Sequence, residues 1–132
     1  MKTRIKNHLE RFGYDFNDHG EILSVRLGFS QHMVIDLSDP DKIRLIDRLK
    51  GWNFLTGIVE TRLKGAMLYN TIGLIAIALI FILLTGYVAN TMVLALIFTA
   101  FVGYILLWSV FYLVKAESFR QQVCIWIKDH PE

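Results

Sequence analysis

The sequence predicts an α+β protein with a membrane anchor. Its parts are a small N-terminal cytoplasmic domain of one helix and three to four antiparallel strands, a two-helix transmembrane hairpin, and a short C-terminal amphipathic helix. Three observations predict it. From Gly65 to Val114 the chain runs fifty residues without Asp, Glu, Lys, Arg or His. Before that stretch apolar residues alternate with polar ones, the period of strands with one buried face. After it, Phe119, Val123, Trp126 and Ile127 recur at i, i+4, i+7 and i+8, one stripe of a helix. The boundaries follow: a domain over 1–57, a juxtamembrane segment over 58–65, the hairpin over 66–114 with spans 66–88 and 91–114, and a helix and tail over 115–132.

Ile5, Leu9 and Phe12 share one face of Lys2 to Phe12, and Gly13 is the expected stop. Tyr14 and Phe16 lead into Asn17-Asp18-His19-Gly20, which reads as a turn. Leu23, Val25, Leu27 and Phe29 then alternate with Ser24, Arg26, Gly28 and Ser30. A third run sets Met33, Ile35 and Leu37 opposite His32 and Asp36, and Ser38-Asp39-Pro40-Asp41 closes it in a turn. A fourth covers Lys42 to Leu49, where Asp47 interrupts the apolar face. A sheet with one apolar face needs a cover, and the N-terminal helix is the expected one. A unit of this size buries too little surface to be robust alone, so it is expected to lean on the membrane, a second copy or a partner. The loop Gly51 to Gly57, with Trp52 and Phe54, offers either that contact or a lid on the core. Ile58 to Lys64 reads as a helical lead-in, with a fifth strand as the alternative.

Each half of the uncharged stretch exceeds the roughly 20 helical residues that cross a bilayer. Arg62 and Lys64 precede the first span, and Lys115 and Arg120 follow the second. The connection from Tyr87 to Thr91 carries no charge, so both termini are expected in the cytoplasm. Asn70 and Gly73 on the first span, and Ala95, Thr99 and Gly103 on the second, are the helix-packing candidates, because small residues let helix backbones approach. Their simplest use is pairing the two spans; self-association is the alternative. Trp52, Tyr69, Tyr87, Trp108 and Tyr112 are the membrane-interface candidates, since Trp and Tyr favour the headgroup level.

No residue set predicts catalysis, a cofactor or a metal. His8, His19, His32 and His130 show no ligand spacing and read as exposed surface residues, and the single cysteine, Cys124, excludes an intrachain disulfide. Asp36, Asp39, Asp41 and Asp47 read as turn and strand residues without a calcium-loop pattern. A net charge of +2 from 14 basic and 12 acidic residues, interspersed, argues against nucleic acid. The expected partners are the lipid bilayer and a membrane protein or a second copy. The expectation is an accessory, scaffolding or regulatory subunit rather than an enzyme. One alternative is an oligomeric pore; another is a membrane-bound enzyme or sensor using His32, Asp36 and Arg44.

Overall fold

A computed structural model describes residues 1–57 and 60–129. The elements are α1 (Lys2–Arg11), β1 (Asp15–His19), β2 (Ile22–Gly28), β3 (Gln31–Asp36), β4 (Arg44–Leu49), α2 (Leu63–Leu84) and α3 (Thr91–Lys128). The four strands form one antiparallel meander in sequence order. One helix, four antiparallel strands and two long apolar helices make the α+β layout that the alternation and the uncharged stretch predict.

The first hairpin is tighter than its composition suggests. Asn17, Asp18 and His19 continue β1 rather than turning, and the reversal falls on Gly20 and Glu21. Gly20 has φ +71°, a region glycine enters without steric cost. Asp18 stays extended because Lys2 and Lys6 of α1 both bind its carboxylate, Lys2 at 2.8 Å. Hydrogen bonds from Lys2 and then Lys6 hold the Asp18 pKa down to about 2. At the opposite corner the expected Ser38 to Asp41 turn forms: Asp36 accepts from the Ser38 N–H and Asp39 from the Asp41 N–H.

The core explains why α1 is not enough. Leu23, Val25, Met33, Ile35 and Leu49 bury one face of the sheet, and α1 adds Ile5 and Leu9. A helix is about 10 Å across and strands lie about 4.8 Å apart, so one helix covers roughly two strands. Four strands need a second helix. The C-terminal half of α3 supplies it, burying Tyr112, Ala116, Phe119, Val123 and Trp126 against the sheet and α1. The stripe at Phe119, Val123, Trp126 and Ile127 thus closes the N-terminal core, so residues of the expected C-terminal segment belong to the same packed unit. Tyr14 meets Phe119 edge-on at 5.2 Å, and its hydroxyl donates to Gln122 Oε1 at 3.0 Å.

Both long helices are long and apolar enough to cross a membrane. α2 spans roughly 33 Å, and the 38 residues of α3 roughly 57 Å without a break. α2 stops at Leu84, short of the expected Val88. The Tyr87 and Val88 N–H groups both donate to the Leu84 carbonyl, and the Thr85 hydroxyl bonds back to Ile82. Asn90 then caps α3, its Oδ1 accepting from the Met92 N–H at 3.2 Å. Ahead of α2, Thr61 forms an isolated antiparallel bridge to Leu49 and the helix starts at Leu63. Glu60 to Arg62 is therefore not helical; Ile58 and Val59 of the expected lead-in lie outside the described residues, as do His130 and Pro131.

Core closure by α3 sets two expected outcomes. Phe119→Ala should lower the stability of the sheet unit by about 3–5 kcal/mol, the usual cost of a buried Phe truncation, read as lost hydrogen-exchange protection in β2 and β3. Residues 1–57 expressed alone should aggregate, because Leu23, Val25, Met33 and Ile35 lose half their cover; a monodisperse fragment with a cooperative melt would contradict this.

Candidate functional site

The chemistry of this chain concentrates where the sheet meets the apolar helices. Its centre is the β2–β3 turn. Gly28, Phe29 and Ser30 have φ values of +100°, +48° and +64° in succession. A two-residue hairpin with both central φ values positive matches the twist of its strands, yet asks Phe and Ser to adopt a conformation that costs roughly 1–2 kcal/mol per residue. Neighbouring groups hold it. The Tyr112 hydroxyl donates to the Phe29 carbonyl at 2.7 Å, and Lys115 Nζ donates to the Leu27 carbonyl at 2.9 Å. The Lys50 N–H reaches the Ser30 carbonyl at 2.8 Å, and the Ser30 hydroxyl donates to the Trp52 carbonyl. Phe29, expected to extend the apolar face of β2, instead leaves the strand and packs edge-on against Phe54, Trp108 and Phe111.

Tyr112 ties three segments together. Besides Phe29, its hydroxyl accepts from the Phe54 N–H at 3.3 Å, and its backbone carbonyl accepts from Gln31 Nε2 at 2.8 Å. The Gly51 to Gly57 loop is shaped by buried Asn53, whose Oδ1 accepts from the Leu55 and Thr56 N–H groups. That loop lays Phe54 flat on Trp108, with ring centroids 3.9 Å apart and planes 4° from parallel.

Asp47 makes the second tie. It points from β4 toward the helices, on the core side with Met33 and Ile35. Its Oδ2 accepts from the Leu63 N–H at 2.8 Å and so caps α2, and its Oδ1 lies 3.9 Å from Arg120 of α3. One carboxylate joins the sheet to both long helices. Beside it a cleft of about 530 Å³ opens between the start of α2 and α3, with Arg62, Lys64, Glu117 and Arg120 at its rim.

The outer face of the sheet carries a separate charged row, Asp15, Arg26, His32 and Arg48, in register across the four strands. His32 is partly desolvated, and that desolvation, followed by the charges of Lys50 and Arg26, lowers its pKa from the usual value of 6.5.

The predicted residues divide between the two helices. On α2, Asn70 is buried, donates to the Ala66 carbonyl at 3.0 Å, and lies with Gly73 on the side facing α3. On α3 the side facing α2 is Leu94, Phe98, Val102 and Ile105, with Phe98 edge-on to Phe81 at 5.9 Å. Ala95, Thr99 and Gly103 lie exposed on another side, and a Cβ at Gly103 would meet nothing within 4 Å. Pairing of the spans through that ridge is therefore corrected: large side chains fill the hairpin seam because they interlock, leaving the small ones outside.

Among the interface candidates, Trp52, Tyr69 and Tyr87 are exposed, Tyr87 at 89 %. Trp108 is half-buried under Phe54, and Tyr112 has no exposed surface at all. Tyr112 thus faces the sheet as a core anchor, its hydroxyl donating to the Phe29 carbonyl and accepting from the Phe54 N–H. Of the histidines, His8 is also no free surface residue: it stacks on Trp126 at 5.1 Å. Gln31, Asn53, Asp47 and Lys115 were not singled out by the sequence as site residues. Only Asp47 carried a signal, a charge on an apolar strand face. Among the described residues no group of three His, Cys, Asp or Glu could hold a metal.

Tyr112→Phe should keep the ring packing but leave the Phe29 carbonyl and the Phe54 N–H unpaired, at about 1–3 kcal/mol, with amide protection lost first at Phe54. His32 gives a pH signature. Its folded pKa lies below the unfolded value, so the unfolded chain binds the proton more readily and stability falls as pH drops below about 6.5. His32→Gln should flatten that slope in melts recorded across the same window. No protein-family model, curated protein or solved structure matches this chain.

Proposed function

We propose that the chain is a two-span integral membrane protein, both termini in the cytoplasm, that acts as a non-catalytic accessory or scaffolding subunit. Its task is to hold a rigid four-stranded sheet at a fixed height against the bilayer. One observation carries the reading: α3 continues without a break from an exposed apolar segment into the core of the sheet unit, where Tyr112 is fully buried. A flexible linker would let the sheet drift; an unbroken helix fixes it.

The membrane half of the proposal rests on exposed apolar surface. Leu68, Ile72, Ile75, Leu79 and Leu83 on α2, and Met92, Leu96, Leu106, Leu107 and Val110 on α3, all show large side chains outward. Water-soluble monomers rarely expose patches beyond a few hundred Å². Lipid tails remove that cost. The basic residues Arg62, Lys64, Lys115 and Arg120 at one end of the hairpin support a cytoplasmic placement of that end.

The exposed ridge Ala95, Thr99 and Gly103 favours a second reading, in which hairpins associate side by side. Thr99 already satisfies its hydroxyl on the Ala95 carbonyl at 2.8 Å, so the ridge presents a smooth strip.

Cys124, exposed and the only cysteine, provides the topology test. A membrane-impermeant maleimide should label it only in sealed vesicles whose cytoplasmic face points out. In a Cys124→Ser background, Asn90→Cys should label only in the opposite orientation; labelling of both sites from one side would defeat the hairpin. Gly103→Leu should leave the stability of the hairpin unchanged, since the new side chain enters open space. If it dissolves a defined oligomer in detergent, the side-by-side reading gains.

A further inference from the structure

The outer face of the sheet is electrostatically unfinished. Register sets Arg26 beside His32 and His32 beside Arg48, with Asp15 at the β1 edge as the one acidic member of the row. Directly opposed like charges repel across a sheet. Lys50 adds a further charge, close enough to act on His32. Among the described residues, none of Arg26, Arg48 and Lys50 has an ion-pair partner. By contrast, Lys2 and Lys6 at the far end of the sheet are both paired with Asp18, and Asp36, Asp39 and Asp41 cluster at the far β3–β4 turn. At that end cations stand beside the carboxylates, Arg44 opposite Asp36 in register, whereas in the row near the β2–β3 turn Asp15 is the one carboxylate.

Position identifies the missing anion. The row lies two to three residues from the Phe29–Ser30 turn, and Tyr112 pins that turn at the end of the apolar part of α3. Two to three residues of strand are roughly 7–10 Å. The headgroup layer on each side of a bilayer is about 5–7 Å thick, the difference between about 30 Å of hydrocarbon and about 40–45 Å in all. On the membrane reading above, the row would then lie at or just outside the headgroup layer, with exposed Phe29 and Trp52 at the same end. A concavity of about 510 Å³ there brings Arg26, His32 and Lys50 together with Asn17, Ser24 and Ser30, cations and neutral donors suited to phosphate oxygens, with Asp15 as the one carboxylate in its wall and Arg48 outside it.

We propose that the row Arg26, His32 and Arg48, with Lys50, binds the phosphates of anionic phospholipids in the leaflet the hairpin enters. The proposal rests on the membrane reading above and adds lipid selectivity to it. The groups that face His32 are Arg26 from β2, Arg48 from β4, Lys50 beyond it and Asp15 at the β1 edge. A phosphate among them relieves their mutual repulsion and favours protonation of the imidazole.

The test reconstitutes the full chain into vesicles of equal parts phosphatidylcholine and phosphatidylglycerol, extracts it in mild neutral detergent, and counts retained lipid by mass spectrometry. Wild type should retain several-fold more phosphatidylglycerol than the Arg26→Gln/Arg48→Gln/Lys50→Gln variant. A charge-matched control, Arg11→Gln/Lys42→Gln/Arg44→Gln, should retain as much as wild type. In wild type the His32 pKa, followed by NMR, should be higher in mixed discs than in phosphatidylcholine alone. Equal retention by wild type and the row variant overturns the proposal, as does equal loss in both variants, which would report net charge only. Loss of a co-purifying acidic protein with lipid retention unchanged also overturns it, because the row would then serve a protein partner. Failure of the membrane reading shows earlier and separately: wild type would wash off pure phosphatidylcholine vesicles in carbonate.

Discussion

A four-stranded sheet with one apolar face needs about two helices of cover, and this chain spends only ten residues on the first. Everything else in the architecture follows from where the second is found. It is the continuation of α3, some sixty residues after the last strand, so the apolar hairpin is not appended to a finished domain but inserted between a sheet and its own lid. That arrangement forbids independent motion of the two parts unless the core opens. The burial of Val123 and Trp126 next to Ile5 and Leu9 makes such an opening expensive.

The polar ties repeat the same logic at shorter range. Tyr112 and Lys115 of α3 reach backbone carbonyls of the β2–β3 hairpin, and Asp47 of the sheet reaches both α2 and α3. Phe29 holds a left-handed conformation only because the turn is fastened from several sides, as strained residues generally require. The strain marks the place where the sheet was fitted to the helix. On the outer face of the sheet, Arg26, Arg48 and Lys50, without ion-pair partners among the described residues, lie toward the β2–β3 turn, whereas Asp36, Asp39 and Asp41 lie at the other end.

Much of this was legible in the residues. Alternation located β2, β3 and β4, and the charge-free stretch located both long helices, because period and composition are local properties. The stripe Phe119, Val123 and Trp126 was legible as amphipathic, but not what it covers, since the partner of an amphipathic face lies elsewhere in the chain. Tyr112 illustrates the same limit: an aromatic near the end of an apolar run has the same sequence signature whether it faces lipid or a sheet. Asp47 was visible as an anomaly on an apolar strand, and its explanation required the two helix positions it contacts. The ridge at Ala95, Thr99 and Gly103 misled because spacing names a face without saying which way the face turns. The end of β1 was misplaced because Asn17 and Asp18 favour turns locally, and lysines on α1 overrule that preference.

The separation between the sheet and its second cover has a consequence for biosynthesis. Strand β3 is complete at Asp36, but Phe119 is made some eighty residues later. At about 5–20 residues per second of translation, this is an interval of roughly 4–16 s. Throughout it the apolar face of the nascent sheet has only α1 to shield it, and the sheet edge and face are exposed to chaperones or to other nascent chains. The first part of the polypeptide to be synthesised is therefore among the last to finish folding, and its completion requires that the whole apolar hairpin has already been made.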